Sequence, residues 1–260
     1  MARAHVSLVL GISIYAGVGC LEAQDEINTD RPDLSSIVVP KSSLQVENGL
    51  AWTNEARVAT VDGMESVVRF GVTESGELRI VLPDYYRGWK PDAINGLTDV
   101  LLGWKQQLTG GTGSFQVSVA PGLTLPSGSS GRTGGELNPQ LAVAWSGEMA
   151  AKWSTSGVQY MYYSAENSRH FLQGETVIAM ERRLTRTVEA YIEFQSSYGH
   201  FGASYMAAVG VFYRKRPHYQ WDFSVGTGVD RGAVELSVGT GISFRIANFW
   251  RHPGDARSDP

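Results

Sequence analysis

Side chains able to do chemistry are few in this chain and widely spaced. Nucleophilic catalysis by serine or aspartate needs a histidine held beside the nucleophile. Past the first two dozen or so positions the histidines are His170, His200, His218 and His252, and only His200, close to Ser197, has a dyad-like spacing. A loop histidine is the simpler account of it. There is no Gly-x-Ser-x-Gly and no His-Glu-x-x-His sequence. The only cysteine, Cys20, lies in the N-terminal segment, so the rest of the chain offers neither a disulfide nor a thiolate metal cluster, and its histidines are dispersed. Gly110 to Gly113 reads as a turn and not as a phosphate loop, because no helical pattern follows it. These residues call for no cofactor and no metal, and they do not describe an enzyme. A net charge of −4 without a basic stripe excludes nucleic acid as a partner.

What remains is charge, and its spacing is regular. Glu47, Glu65, Arg69, Arg79, Asp99, Lys105, Glu175, Glu181, Arg183, Glu189, Glu193, Asp222, Glu235 and Arg245 fall on the polar phase of segments that alternate with period two. The elements that must carry them are strands. Tyr219, Trp221, Phe223, Val225, Thr227 and Val229 alternate with Gln220, Asp222, Ser224, Gly226 and Gly228. Val234 to Ile246 alternates in the same way. Such runs exceed an ordinary soluble strand and match the roughly 9–11 residues of a membrane strand. The pattern predicts strands near 42–53, 64–73, 76–84, 96–108, 114–126, 136–147, 151–163, 171–184, 187–198, 203–214, 218–229 and 232–246. The expected fold is all-β, a transmembrane antiparallel up-and-down β-barrel of about twelve strands. Its charges would line a narrow lumen, either as a selective channel or as a salt-bridged filling. Short turns at Glu74-Ser75-Gly76, 109–113, 184–186 and 214–218 alternate with longer connections at 53–63, 84–95 and 127–135. This pattern predicts residues 92 and 131 outside the cell, and 111 and 215 on the periplasmic side with both termini.

A soluble β-sandwich would also alternate. Aromatic residues near strand ends favour the barrel, because they would form two interfacial girdles: Trp104, Trp145, Tyr213, Tyr219 and Trp221 at one end, Trp52, Tyr162, Tyr198 and Tyr205 at the other. The N-terminus adds an address. Arg3 precedes an apolar run from Val6 to Val18, too short to span a bilayer as a helix and right for a secretory signal cleaved after Ala23. Lipidation at Cys20 is the alternative, with Gly17 standing where leucine is usual. The expected organisation is a signal peptide over 1–23, a periplasmic segment over 24–41, a barrel over 42–246 and a polar tail over 247–260. The expected location is the bacterial outer membrane. Asp30, Arg31 and Asp33 precede the first strand. They could fold into the lumen as a plug, or belong to a tether that Pro32 keeps extended.

Several motifs carry a resemblance: Thr29-Asp30-Arg31-Pro32-Asp33, Val39-Pro40-Lys41, Leu44 to Gly49, Arg69-Phe70-Gly71-Val72-Thr73 with Glu77-Leu78-Arg79, Gly96 to Val100 with Gly103-Trp104-Lys105, and Pro121-Gly122-Leu123 with Leu125 to Gly128. As a set, from Thr29 to about Pro139, they resemble the outer-membrane transporters related to the protein of the meta-cleavage pathway of phenol degradation. The resemblance implies a membrane barrel and suggests passive uptake of small aromatic or hydrophobic compounds. Outer-membrane lipids, the barrel-assembly machinery and a small solute would be the partners. A structural or adhesive barrel that transports nothing is the other reading, and an outer-membrane hydrolase a third. The tail after Ile246 departs from the aromatic terminus usual in such strands.

Overall fold

A computed structural model describes residues 26–250, except 32, 56–57, 91–92, 110–113, 167–168, 201 and 231–234. The segment expected to be a signal, with Cys20, the tail from 251 with His252, and positions 92 and 111 lie outside the described residues. The elements are β1 (Leu44–Glu55), β2 (Val58–Gly63), β3 (Val67–Gly71), β4 (Gly76–Val81), β5 (Tyr85–Gly88), β6 (Gly96–Leu97), β7 (Val100–Gln107), β8 (Phe115–Leu125), β9 (Asn138–Ala150), β10 (Trp153–Glu166), β11 (Arg169–Arg183), β12 (Val188–Gly199), β13 (Gly202–Arg216), β14 (Tyr219–Gly228) and β15 (Leu236–Ile246). β2 with β3, β4 with β5, and β6 with β7 are three interrupted barrel strands. The whole is a closed antiparallel barrel of twelve strands. β15 closes it on β1, from Leu44 opposite Ile246 to Asn54 opposite Leu236.

Closure leaves no free sheet edge, and alternation then sorts the side chains. Ile178, Ile192, Phe194, Val209, Ile242 and Phe244 are exposed on the outside. Gln45, Glu47, Arg69, Glu77, Lys105, Gln220 and Ser243 are buried inside. Apolar outside and polar inside is the pattern of a barrel that crosses a bilayer. Among the described residues no helix is long and apolar enough to cross one.

The three interruptions lie side by side and each moves the inward phase by one residue. In β3 the inward residues are odd (Val67, Arg69); across the 64–66 break, where Met64 has φ 68°, they become even (Thr60, Asp62). The 82–84 and 98–99 breaks follow suit, tied by Leu82 N donating to Ser66 O (2.9 Å) and Thr98 N to Asp84 O (2.9 Å). A one-residue slip turns every following side chain to the other face.

These breaks account for one departure from the sequence-based expectation, and others lie elsewhere in the barrel. The stretches 53–63 and 84–95, read as loops, contain β2 and β5. The last strand begins at Leu236, four residues later than its alternation suggested. Tyr162 does not belong to a girdle: it faces the lumen, stacked on Tyr160 with ring centroids 5.7 Å apart, and Tyr163 is the exposed residue. The end bearing the turns after β3, β9, β11 and β13, with Lys215, is the turn end. Gly131 lies at the opposite, loop end.

Candidate functional site: a half-filled lumen

Residues 26–41 enter the lumen from the turn end, rise about halfway and return to β1. Ile27 N donates to Pro217 O (2.5 Å) on entry, and Ser43 N donates to Pro40 O (3.1 Å) on return. Arg69, on β3, holds both limbs: Nη1 donates to Asn28 O and Nη2 to Ile37 O, each at 2.9 Å. Gln45 Nε2 donates to Asn28 O (2.8 Å), Gln220 Nε2 to Thr29 Oγ1 (2.7 Å), and Lys105 Nζ to Ser35 O (3.0 Å) and Ile37 O (3.1 Å). Backbone that leaves a sheet and enters a barrel needs such partners for its amides and carbonyls.

At the centre is a buried charge network. Asp30 meets Lys105 Nζ at 2.9 Å, Arg79 Nη2 at 2.6 Å and Arg69 Nη1 at 3.2 Å. Arg69 also binds Glu47 (2.9 Å) and Glu77 (2.9 Å), and Lys105 approaches Glu77 at 3.3 Å. Asp30 N donates to Glu47 Oε2 (2.8 Å) and Val39 N to Glu77 Oε2 (2.5 Å). Three cations thus face three carboxylates, the arrangement that burial of charge requires. Burial alone would raise the Asp30 carboxyl, but Arg69, Arg79 and Lys105 outweigh it and hold it well below the usual carboxylate range.

The apex behaves differently at its two charged residues. Arg31 lies between Glu65 (Nη1–Oε2 2.6 Å) and Asp222 (Nε–Oδ2 3.5 Å). Its guanidinium occupies the space where a Cβ on Gly49 or Gly241 would stand, so those glycines are required by close approach. Burial would lower the Arg31 pKa; Asp222 and Glu65 reverse this and raise it. Asp33 faces like charge. Burial and then the Glu193 carboxyl, with which it shares a hydrogen bond, push Asp33 well above the usual range. Beyond it, Leu34 packs on a wall of small apolar residues: Ala120, Ala142, Ala144, Val158 and Val177.

Of the sequence-derived lumen candidates, Glu47, Arg69, Arg79, Lys105 and Asp222 are brought to the segment with Asp30 and Arg31. Glu175, Glu181 and Glu193 line the facing wall. Ser154 Oγ and Ser156 Oγ donate to Glu181 at 3.2 and 2.7 Å. Arg183, Glu189 and Arg245 stand near the turn-end rim, where Arg214 bridges Glu189 (2.6 Å) and Arg245 reaches Glu26 O (3.5 Å). Two others are displaced to the loop end. Asp99 falls at the 98–99 break and accepts from Gly128 N (2.7 Å) and Gly134 N (2.9 Å), pinning a connection. Glu235 precedes the shortened β15 and is exposed, accepting from Asn54 Nδ2 (2.9 Å). Alternation with Arg79 across Leu78 was the signal for the central Glu77, which the sequence-based reading passed over. No dyad forms: Ser197 Oγ donates to Glu175 Oε2 (3.4 Å), and His200 stacks on Phe171 at 5.7 Å. Among the described residues no cluster could hold a metal ion.

Residues 29–246 match the family described as "Putative MetA-pathway of phenol degradation". The chain belongs to that family. The phenol-degradation family match includes the lumen segment from Thr29 onward as well as the barrel. No curated protein matches the chain by sequence. Among solved structures it is similar to an outer-membrane channel from Pseudomonas putida F1, with TM-score 0.65 and 10% identity, over 84% of this chain and 100% of that one. It is also similar to the KdgM porin, with TM-score 0.54 and 10% identity, over 77% and 98%. At that identity the likeness concerns the fold.

Proposed function

We propose that this member of the phenol-degradation family is a passive outer-membrane channel for small aromatic or hydrophobic solutes, with residues 26–41 as its internal plug. The carrying observation is that the segment fills only the turn-end half of the lumen. It is held there by side-chain contacts, with no strand pairing. The loop-end half is lined with small inward residues, Gly226, Gly228, Gly239 and Ser237, and with half-buried carboxylates. The family's description supports an aromatic solute, and inward Tyr160 and Tyr162 supply ring faces for it. The secretory signal supports the location, with the turn end periplasmic.

The same closed network favours a second reading, a barrel that passes nothing. Flux into liposomes holding the purified protein decides between them, comparing an aromatic acid, an aromatic hydrocarbon and a sugar, for the full mature chain and for one lacking 25–40. Faster entry of at least one aromatic than into empty liposomes supports the channel. No flux from either protein, with β-structure intact, establishes the structural barrel.

A further inference from the structure

Among the described residues the loop-end half of the lumen carries more carboxylates than cations. On one wall Glu175 and Glu193 face the apex residue Asp33. On the opposite wall stand Asp62, Glu65 and Asp84. Among the described residues the cations within reach are Arg31, already shared between Glu65 and Asp222, and Arg132, stacked 4.4 Å from the Tyr86 ring centroid with its Nε donating to Ile94 O (2.7 Å). The turn-end network, by contrast, balances cation against carboxylate.

A second observation is independent of the charge count. Asp62 is 9% exposed and faces inward toward Glu65 and Asp84; the Tyr86 hydroxyl hydrogen-bonds its carboxylate, yet Oδ1 has no hydrogen-bond partner among the described residues, and neither has Asp84 Oδ1. A buried carboxylate oxygen is ordinarily satisfied, because stripping its water uncompensated is costly. Two such oxygens on neighbouring carboxylates leave hydrogen-bonding capacity for a positive ligand. The ring faces add to this. Tyr160 and Tyr162 stack beside Asp33 and Glu175, and an aromatic face next to a carboxylate favours an organic cation over a bare ion.

We infer that the loop-end half of the lumen is a cation-selective filter and that the solute it admits is an organic cation carrying an aromatic group. This rests on the channel reading above. Low-dielectric walls focus the field of the carboxylates, concentrating cations and excluding anions of the same size.

The test uses the mature chain in planar bilayers under a potassium chloride gradient, and in liposomes with two matched permanent ions, benzyltrimethylammonium and benzenesulfonate. The zero-current potential should give a potassium-to-chloride permeability ratio of about tenfold or more, and the aromatic cation should enter faster than the aromatic anion. Neutralising the two walls in separate proteins, Glu175→Gln with Glu193→Gln and Asp62→Asn with Asp84→Asn, should each bring the ratio toward one, with circular dichroism reporting an unchanged barrel. A ratio near one or favouring chloride in the unmodified protein overturns the filter and leaves the channel standing. So does a high ratio that survives both double substitutions. Absence of conductance, with and without residues 25–40, removes the channel itself and the filter with it.

Discussion

The turn-end and loop-end halves of the lumen are built from the same residue types on the same strands, yet among the described residues one is filled and balanced and the other is acidic. In the turn-end half Arg69, Arg79 and Lys105 meet Asp30, Glu47 and Glu77, and two limbs of backbone complete their hydrogen bonds. In the loop-end half carboxylates face one another, and the segment brings them a further carboxylate, Asp33, in place of a cation. The difference comes from the apex. Arg31 is the cation that the segment carries at its apex, and it is shared by Glu65 and Asp222. Charged residues inside a barrel therefore form a filling where a mobile partner can be brought to them, and a lining where none arrives.

Removing the segment is the strongest way to break this contrast. A chain lacking 25–40 should keep its β-structure by circular dichroism, because strand pairing does not involve those residues, and its single-channel conductance should rise several-fold. An unchanged conductance would show that the loop end, and not the segment, limits passage.

A smaller effect should follow from unbalancing the network. Lys105→Met leaves Asp30 and Glu77 short of a cation, and breaking a buried pair costs about 3–5 kcal/mol. The segment should then leave the lumen part of the time. Maleimide labelling of a cysteine placed at Ser36, buried in the native protein, should become fast; protection equal to the parent would show that Arg69 and Arg79 suffice.

Gly49→Ala acts on one contact only. The added methyl enters the space of the Arg31 guanidinium, and such overpacking costs about 1–3 kcal/mol. The same labelling assay should report an intermediate rate. A fully protected Ser36 site would mean that Arg31 can shift without loosening the apex.

The subtlest test is pH. Asp33 has its pKa raised on docking, so the docked apex binds its proton more tightly than the free segment does. Its contribution to docking is present at low pH and is lost as pH rises through the raised value. Asp30 is lowered, so its contribution persists until pH falls below the usual carboxylate range. Between those limits conductance should increase with rising pH, and Asp33→Asn should flatten the dependence. A steeper dependence in that variant would place the switch elsewhere.

Much of the architecture was legible in the residues. Period-two alternation over β12 to β14 has one reading for length and face, because the pleat makes side-chain direction a local property of sequence. The number of barrel strands, the apolar exterior and the inward charges of Glu47, Arg69, Arg79, Lys105 and Asp222 followed from it, as did the exterior position of Trp221 and Tyr213. Local pattern could not give the phase slips at 64–66, 82–84 and 98–99. These rest on a left-handed residue, Met64, and on hydrogen bonds between neighbouring strands; they return Asp62 to the inside and put Asp99 at the loop end. Nor could it give Tyr162 its lumen position or choose the partners of Asp30. Lys105 is 75 positions from Asp30 and Asp222 is further still from Arg31. Which inward charges meet depends on the stagger of the closed sheet and on how far residues 26–41 climb, and both are settled only when β15 pairs with β1.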